Sequence, residues 1–248
     1  LGVRLPAAFF GILDVFLIYL IAELFFKNKK ISLLSALFLA ISPWHIQFSR
    51  SGFEAIQMLS LYLGGFYCFI RGLNNYKWLV LSSVLFGLTL WAYHAAKIFL
   101  PLTVLTLIMI WRQELINVPK KYLLISALTL IVVSVPIGWD ILFGGGAQRF
   151  NSTSVFADNT AIGEIGSKRL QDQKISHETS SSISDRLFHN QTVYFADKLI
   201  NNYFQAYSSG FLFIKGDPNL RHSLPDFGEF YKIEALFLIA GFIFLFTK

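Results

Sequence analysis

The chain reads SPWHIQFSRSGFEA at residues 42–55, a charged interruption between two long apolar runs. Arg50 and Glu54 stand four residues apart within it, and His45 lies just upstream. If a helix begins near Ser49, this spacing predicts that Arg50 and Glu54 share one helical face. Charged side chains close to a membrane are costly and usually serve a function. We therefore interpret the flanking chain as the scaffold that places these groups.

The composition is that of a membrane protein. Of the 248 residues, 54% are hydrophobic and 15% are charged, which is too apolar for a soluble domain of this length. The net charge of +6 does not indicate nucleic acid, because the basic residues fall mostly in short gaps between apolar runs. We find no Gly-rich phosphate loop, zinc-ligand cluster or nucleic-acid motif in the sequence. The single cysteine, Cys68, lies inside an apolar run and cannot form an intrachain disulfide.

Apolar runs that approach the length of a spanning helix, about 20 residues, recur along the chain. We predict about seven transmembrane helices, at 6–26, 31–48, 53–70, 78–95, 98–111, 122–143 and 233–246. The predicted fold class is thus an all-α polytopic membrane protein. It comprises a six-span bundle at 1–143, an extracytoplasmic loop at 144–232 and a truncated seventh helix at 233–248. In the loop, apolar residues recur at three- and four-residue steps between 183 and 207, which predicts an amphipathic helix.

The basic residues of the short loops predict the orientation of the spans. One set of loops contains Lys27, Lys29, Lys30, Arg71, Lys77, Arg112, Lys120 and Lys121. The opposite set contains Arg4, Arg50 and Lys97. The richer set should be cytoplasmic. The stretch at 42–55, the turn at 94–97 and the long polar segment are then predicted to share the outer face.

Two of these groups offer side chains suited to an anionic ligand. Arg50 can bind a phosphate with two donors, and Glu54 can orient the guanidinium. The alternative is a surface ion pair that merely ends a helix. His94 and Lys97 can present two cations at one rim, although Lys97 could instead extend to the lipid headgroups.

Three further sets of polar residues are candidates for the site, and each also has a purely structural interpretation. Asp217, Arg221 and His222 surround a Pro-Asn turn shortly before the last apolar run, and they could form an ordinary solvated turn. Asp14 lies within the first span, where an acid is either functional or a hydrogen-bond acceptor between helices. His45, beside a Pro and a Trp, could be only a residue of the interfacial belt.

Four motifs in order resemble one known group of proteins. They are Arg4-Leu5-Pro6 followed by Gly11, the stretch at 42–55, Tyr93-His94-Ala95-Ala96-Lys97 with Pro101, and the segment 213–222. The chain resembles the polytopic glycosyltransferases of the GT-C fold. Among these it is most similar to the bacterial relatives of protein O-mannosyltransferases and of the aminoarabinose transferase that modifies lipid A. The likeness covers most of the chain.

The resemblance implies an inverting glycosyltransferase in the bacterial cytoplasmic membrane, a multi-pass protein with its active face outside. Its expected partners are a polyprenyl-phosphate-linked sugar donor, a protein, glycan or lipid acceptor, and membrane lipids, but no nucleic acid. In such enzymes an acidic residue of the first outer loop acts near the acceptor and a divalent metal. That loop precedes the Arg4-Leu5-Pro6 motif, so we expect this chain, which starts at Leu1, to be a fragment without it. No catalytic base is therefore named, and no residue present here supports a metal.

The resemblance assigns the candidate residues to binding of the lipid phosphate and its support. They are Arg50, Glu54, His94, Lys97, Asp217, Arg221 and His222. The alternative function is a transporter or flippase for a lipid-linked or anionic substrate. It is disfavoured because the polar groups cluster on one outer face instead of mid-membrane, and the two halves show no inverted repeat. A membrane anchor for an outer interaction domain would explain the long loop, but not the groups around Arg50 and His94.

Overall fold

The computed structural model describes residues 2, 4–144, 163–167, 170 and 190–247. All regular secondary structure in these residues is helical, as predicted. The first four helices are Arg4–Phe26 (α1), Lys29–Ile41 (α2), Pro43–Ser51 (α3) and Glu54–Gly72 (α4). Next come Lys77–Ala92 (α5), Ala96–Ile110 (α6), Arg112–Ile116 (α7) and Lys120–Phe143 (α8). The last elements are Gln191–Ala206 (α9), a π-helical turn at Gly210–Lys215 and Glu234–Phe246 (α10).

Within the described residues, two helices are long and apolar enough to cross a membrane, namely α1 and α8 over Lys120–Ile141. The bent pair of α2 and α3 makes a third if it counts as one span. Helices α5, α6 and α10 are apolar but shorter. Large apolar side chains such as Ile12, Leu102 and Val132 are exposed on these helices. Such a surface suits lipid rather than water.

The predicted second span, 31–48, is broken at Ser42, and α3 leaves α2 at an angle of 58°. Ser42 is extended, with ψ of 128°, because the ring of Pro43 disfavours a helical conformation in the residue before it. Gly52 then ends α3 with φ of 80°, in the left-handed region that glycine tolerates best. Arg50 and Glu54 consequently belong to different helices. The prediction that they share one helical face is wrong, because Gly52 turns the chain between them.

The packed core of the bundle lies between α4, α5 and α6. Gly65 of α4 allows close approach, since a Cβ there would lie 2.7 Å from the Phe86 ring. Ser82 of α5 donates a hydrogen bond to the Gly65 carbonyl at 2.7 Å, as is common where small residues line membrane helix interfaces. The buried cluster contains Phe69, Leu79, Phe86, Leu100, Leu107 and Val118. This core makes α4 a firm support for the loop that joins it to α3.

The chain divides into two compact units. One unit comprises residues 1–139 and 213–248, and the other comprises residues 140–212. In the second unit Tyr194 of α9 donates a hydrogen bond to Glu164 at 3.0 Å. The α9 residues Leu199, Tyr203 and Phe204 are exposed. Residues 183–189 of the predicted amphipathic helix lie outside the described part of the chain. All candidate site residues belong to the first unit.

Candidate functional site

The N-terminal end of α3 is bound by the segment that precedes α10. The Trp44 amide donates to the Glu229 carbonyl at 3.4 Å, and the Ser42 hydroxyl donates to the same oxygen at 3.3 Å. The first amide groups of a helix have no acceptor within it, so this carbonyl supplies one to Trp44 from a distant part of the chain. Residues 216–231, here called the docking loop, are thereby held against α3.

Asp217 organises the docking loop from within. Its carboxylate accepts a hydrogen bond from the Asn219 amide at 2.7 Å and lies 3.1 Å from Nδ1 of His222. Its carbonyl accepts the Ser223 hydroxyl at 2.8 Å. Gly216 has φ of 70°, and a Cβ there would lie 3.0 Å from the Ser223 Cβ. The loop is thus a compact turn centred on one carboxylate, with a glycine where a side chain would not fit.

His222 connects the docking loop to the aromatic residues around the end of α3. Its ring centroid lies 5.8 Å from that of Phe48 and 5.5 Å from that of Phe53. The two phenylalanine rings are themselves 4.9 Å apart. The His222 side chain is 39% exposed, so it is held by Asp217 and by two rings yet remains accessible to a ligand.

Gln47 joins Arg50 to the docking loop. Its amide nitrogen donates to the Arg221 carbonyl at 3.4 Å, and its amide oxygen accepts from the Arg50 guanidinium at 3.4 Å. Arg50 and Arg221 are both exposed, and neither forms an ion pair within the described part of the chain. The structure therefore brings Arg50, Asp217, Arg221 and His222 into one contact network. Two guanidinium groups in it lack a neutralising carboxylate among the described residues, and such groups are suited to an anionic ligand.

The other three candidate residues lie apart from this network. Glu54 is the exposed first residue of α4, and it makes no side-chain hydrogen bond or ion pair with any described residue. His94 lies in the turn before α6, with its ring 4.5 Å from that of Tyr93. The Lys97 amide donates to the His94 carbonyl at 3.2 Å. No hydrogen bond, ion pair or ring contact between described residues joins His94 or Lys97 to the docking loop, so their part in the site stays a prediction.

Beneath the site, Asp14 and His45 form a buried pair that the sequence shows only as two separate candidates. Asp14 is 0% exposed and His45 is 3% exposed, and Oδ2 of Asp14 lies 3.6 Å from Nε2 of His45. The hydroxyl of Ser60, on α4, is hydrogen-bonded to Asp14 and lies 3.0 Å from the Phe10 carbonyl. Ser60 was missed because a lone hydroxyl in an apolar run carries no sequence signal.

Glu229 is a second residue that the sequence did not indicate. It is 8% exposed, and its Oε1 accepts the Asp217 amide at 3.0 Å. Burial raises the pKa of Glu229 above its ordinary value of 4.5; the hydrogen bond from the Asp217 amide and the charge of His222 oppose this, whereas the charge of Asp217 reinforces it. The docking loop therefore contains a carboxyl group that favours its protonated form more than an exposed glutamate does.

We expect the stability of the protein to depend on Glu229 at mildly acidic pH. The folded protein binds this proton more tightly than the unfolded chain, so stability falls as the pH rises from about 4.5 through the raised pKa. Glu229→Gln keeps an oxygen for the Asp217 amide but cannot ionise. Its thermal unfolding temperature should therefore change less with pH over that range than that of the wild type. Glu114→Gln, at an exposed glutamate, serves as the matched control. If the unfolding temperatures of Glu229→Gln and the wild type changed equally with pH, Glu229 would not be the group responsible for the pH dependence.

The divalent metal implied by the resemblance does not fit the residues that the structure describes. In the part of the chain that the structure describes, no three His, Cys, Asp or Glu side chains lie close enough together to hold a metal ion. Asp217 and His222 form only a pair, and Asp217 already accepts the Asn219 amide.

The apolar helices define a membrane-embedded protein, with exposed guanidinium groups where the docking loop meets α3. The family model described as dolichyl-phosphate-mannose-protein mannosyltransferase matches residues 1–139, and the chain belongs to this family. The family consists of GT-C membrane glycosyltransferases, as the sequence motifs predicted, and it implies a lipid-phosphate-sugar donor. No curated protein and no solved structure matches the chain. The matched segment includes α3 with Arg50, whereas the docking loop lies beyond it.

Proposed function

We propose that the protein transfers a sugar from a polyprenyl-phosphate donor to an acceptor hydroxyl on the outer face of the membrane, with inversion at the anomeric carbon. The acceptor oxygen forms a bond to that carbon while the bond to the phosphate oxygen breaks. The lipid phosphate leaves with the bonding electrons, and the acceptor proton passes to a base. Because phosphate is a good leaving group, the reaction needs no protein nucleophile.

The network of Arg50, Gln47 and the docking loop supports this proposal most directly. In the transition state, negative charge grows on the departing phosphate, and fixed cations stabilise it more than they stabilise the ground state. Arg50 and Arg221 are suited to this role because their guanidinium groups have no carboxylate partner among the described residues. When protonated, His222 adds a further hydrogen-bond donor beside these two guanidinium groups. Glu54, His94 and Lys97 stay proposed members of the binding surface, although no hydrogen bond, ion pair or ring contact among the described residues joins them to this network.

Neither Asp14 nor Asp217 is assigned as the base. Asp14 is fully buried, so it cannot contact an acceptor. Asp217 is bound to the Asn219 amide and to His222, which suits a structural part in the docking loop. We propose that the catalytic base belongs to an acidic outer loop upstream of Arg4, as the family resemblance implies.

The proposed topology is that of about seven spans with the docking loop outside. It comprises six spans at 1–143, an outer segment at 144–232 and the last span at 233–248. The excess of lysine and arginine in the opposite loops supports this orientation. The site would then face the periplasmic side of a bacterial cytoplasmic membrane.

Transfer of radiolabelled sugar tests the function. The full-length protein in membranes is given a series of polyprenyl-phosphate sugars, and label is followed from the lipid fraction to protein, glycan and lipid acceptors. We expect label to move from at least one such donor, and the Arg50→Ala variant to lose most of this transfer. Movement of an intact lipid-linked sugar across vesicles without transfer would instead support the transporter alternative and overturn the proposal.

A further inference from the structure

We propose that Asp14 is a positioning residue for α3. Through its buried contact with His45, it fixes the angle at which α3 presents Gln47 and Arg50 to the docking loop. The importance of Arg50 in this statement rests on the proposed transferase function, whereas the effect of Asp14 on α3 does not. Asp14 cannot act on a substrate directly, because it is 0% exposed.

Two contacts, one helical turn apart, place α3 along α1. Gly11 faces Ser49, since a Cβ on Gly11 would lie 2.8 Å from the Ser49 Cβ. Asp14, three residues further along α1, faces His45 at 3.6 Å. Residues three or four apart lie on the same face of a helix, so the two contacts run along one face of each helix in opposite directions. A helix held at two such points cannot rotate or tilt without breaking at least one of them.

Of the two contacts between α1 and α3, the one between Asp14 and His45 joins polar groups. We therefore expect separation of these two side chains to be unfavourable. Asp14 Oδ2 and His45 Nε2 are both buried, and neither has a hydrogen-bond partner within the described residues. Ser60 holds the other carboxylate oxygen from α4. A buried ionisable group with no polar group beside it is costly, and more so when it is charged. If α3 turned away, both atoms would lose the polar group that faces them.

The same short helix carries both the buried pair and the site. His45 lies in the first turn of α3 and Arg50 in its last turn, with Gln47 between them in contact with Arg221. The helix has nine residues and no regular continuation at either end, because α2 stops at Ile41 and Gly52 ends α3 with a left-handed backbone conformation. Its direction therefore depends on side contacts, of which Asp14–His45 is the most buried.

Chemical cross-linking tests the placement of α3 independently of transfer. In a Cys68→Ala background of the full-length protein, Gln47→Cys and Arg221→Cys are joined in membranes by a short bismaleimide, and linked peptides are quantified by mass spectrometry. We expect Asp14→Leu and His45→Leu each to lower the yield several-fold. The two changes together should lower it no further, because they remove the same contact. Asp14→Asn, which keeps an oxygen for Ser60 and a polar group for His45, should retain most of the yield.

Wild-type yields in both leucine variants would overturn the proposal, and so would additive losses in the double variant. If cross-linking falls as expected but the wild type transfers no sugar, the proposed function fails and the positioning role stands. If the wild type transfers sugar and Asp14→Leu does so with unchanged KM and kcat, Asp14 has no positioning role in the reaction. Loss of transfer in Asp14→Leu with recovery in Asp14→Asn supports the role.

The contact between Gly11 and Ser49 tests the same geometry without removing a buried acid, should Asp14→Leu fail to fold. Gly11→Ala should push α3 from α1 and lower the cross-linking yield several-fold. Adding Ser49→Gly removes the opposing atoms and should restore the yield. Gly138→Ala is the matched control, since a Cβ there meets no atom within 4 Å. An unchanged yield in Gly11→Ala would contradict the dependence of α3 on its contact with α1.

Discussion

Arg50→Ala is expected to lower sugar transfer about 10- to 100-fold while the protein remains folded. A hydrogen bond to a charged group contributes about 1.5–3 kcal/mol, and each 1.36 kcal/mol lost from the transition state is a factor of ten in rate. Arg50 is exposed, and its only side-chain hydrogen bond among the described residues is the one to Gln47 at 3.4 Å. Its removal should therefore cost little stability, which thermal unfolding in detergent would check.

Two further substitutions separate phosphate binding from a general effect of charge. Arg50→Lys keeps the charge but lacks the planar pair of donors, so it should recover only part of the activity. Arg112→Ala removes an exposed arginine from α7, in a loop predicted to be cytoplasmic, and should transfer as the wild type does. Wild-type turnover of a polyprenyl-phosphate sugar by Arg50→Ala would contradict the assignment of Arg50 to binding of the lipid phosphate.

The broad features of this protein follow from local properties of its sequence. Apolar runs and basic loops are readable without tertiary contacts, so the helical membrane class was predictable. Ordered motifs identified the family. The sequence predicted only that the 42–55 stretch and the long polar segment share the outer face, and the contact of Gln47 with Arg221 is a finding of the structure. The turn at His94 makes no such contact among the described residues, because a shared membrane face does not determine which groups touch.

Other features depend on contacts between distant parts of the chain. The break at Ser42 was signalled locally by Pro43, and the end of α3 by Gly52, yet the apolar run across Ser42 favoured one continuous span. No periodicity reveals that Asp14 faces His45. Glu229 lies 187 residues from Ser42, and its burial follows only from the docking of its loop on α3. Contacts of this kind join distant parts of the chain, so no local pattern in the sequence predicts them.

Asp217→Ala is expected to reduce transfer to an extent comparable with Arg50→Ala, through the conformation of the docking loop. The substitution removes the acceptor for the Asn219 amide and the carboxylate beside His222. The loop then loses two of the contacts that hold its turn, and charge-assisted hydrogen bonds of this kind are the stronger ones. Arg221 and His222 should become less ordered, so the effect should appear as a higher KM for the lipid-linked donor together with a lower kcat.

Asp217→Asn should fall between Asp217→Ala and the wild type, because its amide oxygen can still accept the Asn219 amide. Asp226→Asn is the matched control: it removes the same charge from the same loop, at an exposed residue with φ of 57°, where asparagine is also tolerated. Its KM and kcat should stay at wild-type values. An equal loss in Asp226→Asn and Asp217→Asn would show that the net charge of the loop matters instead of the contacts of Asp217. Unchanged KM and kcat in Asp217→Ala would show that the conformation of the docking loop does not affect binding of the sugar donor.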